Sequence, residues 1–255
     1  FLAYGGSLRV VRSDDDDLKN AVDSSNSSTS IKIKSVDHYE ELGYEENVVP
    51  NVIVTGKNPG SWANGIRVGI LDCKADQILE LASSGIATVG LGVTQAIDSV
   101  LPGVGAGTTL DGVLKGIITQ VEGAQAYVKV VSHVSAAGTE TAVDYQQNGI
   151  YQFSTDNNIT VVNNSGVAAA HTSVNATADW FDQQTLATST SNVGVGTSVA
   201  TVKWNILADR PGTSDYAAAR GARFDELHVV VLDGDGKITG NAGTVLEKHL
   251  NLSKA

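Results

Sequence analysis

The residues whose types and spacing come nearest to chemistry are Asp233, Asp235 and Lys237, separated by Gly234 and Gly236. Oxygen ligands at alternate positions suit calcium, a hard cation. A calcium loop of the EF-hand kind would need a third oxygen donor where Lys237 stands, its glycine at Ile238 and a bidentate glutamate at Thr244. Gly236 serves a β-hairpin turn better, so a turn is expected. The run Asp14 to Asp17 could attract a cation, but contiguous side chains diverge, and a solvated surface loop is expected instead. Gly103, Gly105 and Gly107 imitate a phosphate loop without its strand-to-helix frame or its Gly-Lys-Ser/Thr ending, which leaves a flexible linker.

His38, His133, His171, His228 and His249 are scattered without metal-ligand spacing, and Cys73 is the single cysteine, so neither zinc nor an internal disulfide is expected. No serine sits in a Gly-x-Ser-x-Gly elbow, and Cys73, at the end of an expected strand, reads as a buried inert thiol. No catalytic, cofactor-binding or metal residue is therefore assigned: the expectation is a non-enzyme without cofactors. Asp179, Trp180, Phe181 and Asp182 place two aromatics together where aromatics are sparse. They could stack on a sugar ring, but a hydrophobic plug is the favoured reading.

These residues need elements to hold them. Ile31 and Ile33 alternate with Lys32 and Lys34, as in an edge strand. Asn58, Pro59 and Gly60 signal a turn before Trp62 and a largely buried strand from Gly65 to Asp72. Ala75, Ile78, Leu79 and Ala82 share one face of an expected helix, Lys74 to Ser84, which Gly85 would end in a left-handed conformation. From 85 to about 200 charge thins out. Short strands are expected there at 114–121, 126–134, 141–145, 151–153 and 159–162. In the second, Val128, Val130 and Val134 would face inward while Lys129 and His133 face water. Glu226 to Leu232 reads as a strand, Asp233 to Gly236 as its hairpin turn, and Thr244 to Leu252 as the alternating return strand.

The 255 residues can bury a real core, and 17 basic against 28 acidic residues give a net charge of −11, which opposes nucleic-acid binding. No run approaches the about 18 apolar residues of a spanning helix, so a soluble chain without membrane insertion is expected. The chain has no methionine, opens on the apolar run Phe1 to Tyr4 and stops at Ser253 to Ala255; a piece of a longer polypeptide is expected. The many glycines, with frequent Ser, Thr, Asn and Val, favour short strands joined by turns.

Three blocks carry a family resemblance. Phe1 to Arg12, an apolar-aromatic-glycine run leading into Leu-Arg-Val-Val-Arg, resembles a segment of contractile phage tail sheath proteins. Asn58 to Val68 is similar to that family's next element, a Pro-Gly turn, a Trp and a strand into the core. Arg210 to Ser214, Asp225 to Asp233 and Gly243 to Lys254 together resemble its long hairpin. The blocks keep the family's order, and their wording, with Ser132 to Thr141 and Asp179 to Gln184, is closest to T-even-like phages of marine cyanobacteria.

The resemblance implies a β-rich α+β fold: a discontinuous sheath core domain (1–12, 48–84 and 203–255) of strands with a few packed helices, a surface excursion (13–47), and an inserted small β-barrel or sandwich domain (85–202). It implies a structural subunit that forms stacked hexameric rings around a tail tube protein, between baseplate and tail terminator. Those rings contract to drive the tube through the host envelope for genome ejection. The implied place is the virion, after assembly in the host cytoplasm. A carbohydrate-binding or adhesive β module is the alternative, resting on the Ser/Thr/Asn-rich insert and on Trp180 and Phe181.

Overall fold

The computed structural model describes residues 18–23, 31–41, 54–100, 109–145, 150–162, 168–188 and 200–254. The expected strand Leu8 to Arg12, the acidic run Asp14 to Asp17 and the stretch Gly103 to Gly107 lie outside the described residues. Strands far outweigh helices, which makes the class β-rich α+β, as expected. The chain divides into two compact units, one drawn from Phe1–Val68, Thr188–Val199 and Val231–Leu246, the other from Gly69–Ala187, Ala200–Val230 and Glu247–Ala255.

In chain order the elements are α1 (Val36–Glu41), a 3₁₀ turn (Ser61–Gly65), β1 (Ile66–Asp72), β2 (Gln77–Leu81), β3 (Gly92–Val100), β4 (Thr109–Glu122), β5 (Gln125–Val134), β6 (Glu140–Ala142), β7 (Ile159–Val162), β8 (Ala168–Thr172) and β9 (Val174–Asp179). There follow α2 (Trp180–Gln183), β10 (Thr185–Ala187), β11 (Thr201–Lys203), α3 (Trp204–Leu207), α4 (Asp215–Ala218), β12 (Glu226–Asp233) and β13 (Thr244–Ser253). Strands β1, β12 and β13 form one sheet in the order β1-β12-β13, and β10 pairs with β11.

In the first unit, Ile31 and Ile33 are buried while Lys34 is exposed, so the period-two pattern sorts its faces as read. The segment is nevertheless not a strand, because one asparagine supplies what a partner strand would. Asn20 donates its backbone N–H to Ile31 O at 2.8 Å, accepts from Ile33 N at 2.7 Å and donates Nδ2 to Gly56 O at 2.7 Å. The expected tight turn at Asp233 to Gly236 is a longer loop, residues 234–243. Asp233 Oδ2 accepts from Ile238 N, Thr239 N and Thr239 Oγ1 at 2.7–2.9 Å, which folds the loop around one carboxylate. Gly243 N then closes it onto Asp233 O at 2.7 Å.

The second unit is an eight-stranded antiparallel sheet in the order β8-β7-β3-β4-β5-β2-β9, with β6 added on β5. Only Ser173 separates β8 from β9, the strands at the two ends of that order, so the sheet must curl until its ends approach. Leu79, Leu114, Ile118, Val128, Val130, Phe153 and Ile159 fill it, each at most about one-hundredth exposed. The β4–β5 hairpin is closed by Gly123 and Ala124 with Glu122 opposite Gln125; Gly123 has φ 61°, the left-handed first position that a primed turn needs.

Several expectations are corrected here. The helix expected over Lys74 to Ser84 is β2, hydrogen-bonded to β5 on one side and β9 on the other. Gln77, Leu79 and Leu81 alternate into the interior, and two partner strands override the weak helical spacing of Ala75, Ile78, Leu79 and Ala82. Lys129 and His133 do not face water: β5 is covered on both faces, and both side chains are buried. The strand at 141–145 is the three-residue β6, and 151–153 is not a strand at all. There the partners are side chains: Gln77 binds Phe153 N and O at 2.7 and 3.0 Å, and Gln95 binds Ser154 N and O at 2.8 Å each. Each buried amide imitates a neighbouring strand, satisfying the backbone without a ladder. In β1 burial is confined to Gly69 and Leu71, and from Glu247 onward β13 is exposed on both parities.

Candidate functional site

The most heavily built polar constellation in the second unit gathers Asp76, Lys129, Asp179 and Arg210. Asp76 occupies the short link between β1 and β2. Its backbone is pinned on both sides, by its N–H to Val128 O at 2.8 Å and by Trp180 N to its own O at 2.9 Å. The carboxylate thereby reaches β5, where Oδ2 accepts from Val130 N at 2.8 Å and Oδ1 meets Lys129 Nζ at 3.3 Å. Arg210 donates Nη2 to Asp179 Oδ2 at 2.5 Å and brings Nη1 to 3.9 Å from Asp76 Oδ1. The buried pair Asp76 and Lys129 and the half-buried pair Asp179 and Arg210 thus balance in charge, which is the condition under which charges survive away from water.

Aromatic rings line the network. Lys129 Nζ sits 4.3 Å from the centroid of Phe224, which Arg223 covers at 4.6 Å. Arg210 lies over Tyr145 at 4.9 Å and Phe181 at 5.5 Å, within cation–π range. Burial, reinforced by the neighbouring Asp179 carboxylate, pushes the Tyr145 phenol well above its ordinary range, so it stays protonated. Arg223 closes the adjoining sheet edge, donating to Val131 O at 2.9 Å, to Val143 O at 2.5 Å and to Asp144 Oδ1 at 2.5 Å. Phe224 holds φ 62° and donates its N–H to Thr213 Oγ1 at 2.9 Å.

The singled-out residues go to different places. Cys73 is buried as expected, its Sγ donating to Pro211 O at 2.9 Å; burial pushes its thiol up, with Lys129 partly opposing. Trp180 and Phe181 are buried in α2, which Asp179 caps by accepting Asp182 N at 3.0 Å, so neither ring offers a face to a sugar. Asp235 pairs with Lys237 at 3.0 Å, and Asp233 is engaged by its own loop. Burial raises the Asp233 carboxyl, but the bonds from Thr239 and Ile238 outweigh it and leave it lowered.

Among the histidines whose side chains are described, each has its own partner. His38 accepts from Lys34 N at 3.1 Å, His133 meets Asp111 O at 2.8 Å, and His249 pairs with Glu247 at 3.0 Å. His171 lies in β8 opposite Thr160. His228 is fully buried; it accepts from Asn251 N at Nδ1 and so donates from Nε2 to Asp209 O, which sets its tautomer. Among the described residues no group of three or more His, Cys, Asp or Glu is gathered as for a metal, and no helix is long and apolar enough to cross a membrane.

The network itself was not anticipated. One signal was present: Lys129 is the sole charged residue between Glu122 and Glu140, and a lone charge in an apolar strand reads as a buried partner as readily as a solvated tip. No family model, no curated protein and no solved structure matches the chain.

Proposed function

We propose that this chain is a structural subunit of a contractile phage tail sheath. The observation that carries the reading is that the second and third resembling blocks, about 140 residues apart in sequence, contribute neighbouring strands. Block two enters β1, block three supplies β12 and β13, and the three form one sheet in the order β1-β12-β13. Lys254 N reaches Asp225 O at 3.0 Å and Gly243 N reaches Asp233 O, so β12 and β13 run antiparallel as a hairpin.

In this reading the eight-stranded sheet is the inserted β domain, and since β2 lies between β5 and β9 its first strand comes from before residue 85. The partners are further copies in stacked hexameric rings, the tail tube, the baseplate and the terminator. Contraction then exchanges one set of intersubunit contacts for another of lower free energy, which demands a rigid body and no bond-making step. A charge-balanced, ring-lined network beneath a curled sheet supports such rigidity. Expressing the complete open reading frame that contains this chain, and imaging the product by negative-stain microscopy, tests the proposal. Hollow tubes with six-fold rings are expected; a product that stays monomeric, or that binds a glycan specifically, contradicts it.

A further inference from the structure

Cys73 and Lys129 are pressed together in the interior, 8% and 4% exposed, with Nζ 2.7 Å from Sγ. Both ends are anchored. Cys73 donates its N–H to Glu226 O at 3.3 Å and its thiol to Pro211 O, while Lys129 stands in the middle of β5, held by Asp76 and the Phe224 ring. An N–H···O bond spans about 2.9 Å, and sulfur is the larger atom, so an ordinary contact between these two groups would be longer than that. The observed separation lies at the short limit of the N–H···O range, about 2.7–3.2 Å, and is shorter than an ordinary contact to sulfur. It matches two atoms joined through a third: in the peptide backbone, single bonds of about 1.5 Å meeting at about 111° hold their outer atoms about 2.5 Å apart. A bond to sulfur adds slightly to that distance.

We propose that Cys73 and Lys129 form a modification site at which an oxidant of the peroxide class links them as Sγ–O–Nζ. The balance requires two equivalents. The sulfur attacks the first peroxide, its O–O bond breaks, and a sulfenic acid and water result. The Lys129 ammonium passes a proton to the Asp76 carboxylate, and the neutral amine is oxidised by the second peroxide to a hydroxylamine, releasing a second water. The hydroxylamine oxygen then attacks the sulfenic sulfur. The O–S bond forms, the S–OH bond breaks, and a third water leaves. Thiol and amine together lose four electrons, two to each peroxide. The bridge ties β5 to the segment that follows β1, and it needs neither assembly nor the sheath reading.

The test is the intact mass and tryptic map of the purified chain, before and after hydrogen peroxide. The expected result is a gain of about 14 Da, one oxygen in and two hydrogens out, with Cys73 and Lys129 in one linked peptide and no cleavage after Lys129. Dithiothreitol should reverse it. Lys129→Arg and Cys73→Ser should each lose the gain, and wild type unfolded in guanidinium before oxidation should not form the link, which separates geometry from mere reactivity. A gain of about 16 or 32 Da on Cys73 alone, a direct sulfur–nitrogen bond with a loss of about 2 Da, an unmodified folded chain, or a link formed equally well in guanidinium each overturns the proposal.

Discussion

Lys129 and Asp76 face each other with side chains only 5% and 4% exposed, so each is compensated mainly by the other. Lys129→Met leaves Asp76 with Arg210 at 3.9 Å as its nearest cation. Removing one partner of a buried pair costs about 3–5 kcal/mol, and a urea midpoint should fall accordingly. Asp76→Asn should lie in the same range. The double variant should cost less than the two singles summed, because no bare charge remains. A second residue-scale prediction concerns Asp225, whose carboxylate accepts from Ser253 Oγ at 2.5 Å, Ser214 Oγ at 2.7 Å and Ser214 N at 2.9 Å. These bonds, led by that of Ser253, hold it down at about 2. A folded-state value below the unfolded one, about 3.9, stabilises fully above that pH, and the contribution disappears as pH falls from about 4 through about 2. Asp225→Asn should be less stable than wild type at neutral pH, and the gap should narrow across that acid window in a denaturation series.

At the scale of elements, β4 passes β5 so closely at Gly116 that an added Cβ would lie 2.8 Å from Lys129 O and 3.0 Å from the Phe153 ring. Backbone cannot yield as a side-chain tip can, so Gly116→Ala should destabilise by about 1–3 kcal/mol, the usual range for overpacking; thermal melting measures it. Gln77 and Gln95 do the work of a strand for residues 153–154. Gln77→Leu keeps the volume but strands the Phe153 N–H and C=O, and each unsatisfied buried group costs about 1–3 kcal/mol. Amide exchange at Phe153 should rise with it. A failure of Phe153 to lose protection would mean that its neighbours, not Gln77, secure that segment.

For the whole molecule, pairing between distant segments decides which strands open together. Resistance of the second unit to amide exchange should be high and shared between β2, β5 and β9, since the Asp76 backbone and carboxylate join all three.

Local signals sufficed where the physics is local. The strands expected at 114–121 and 126–134 fall within β4 and β5, Ile159 to Val162 is the strand that its β-branched run announces, and Glu226 to Leu232 falls within β12. Periodicity reports one covered side of an element, so it failed wherever a second side was covered from afar. Lys129 looked solvated until Asp76 and Phe224 closed over it from 53 and 95 positions away (129 − 76 and 224 − 129). Residues 77–81 looked helical until two strands flanked them, and 151–153 looked like a strand until two glutamines took the partner's place. Composition and turn chemistry alone determined a β-rich, acidic chain; which faces are buried, and that a thiol, an amine and a carboxylate meet inside, was decided by pairing between distant segments, whose closure no local pattern encodes.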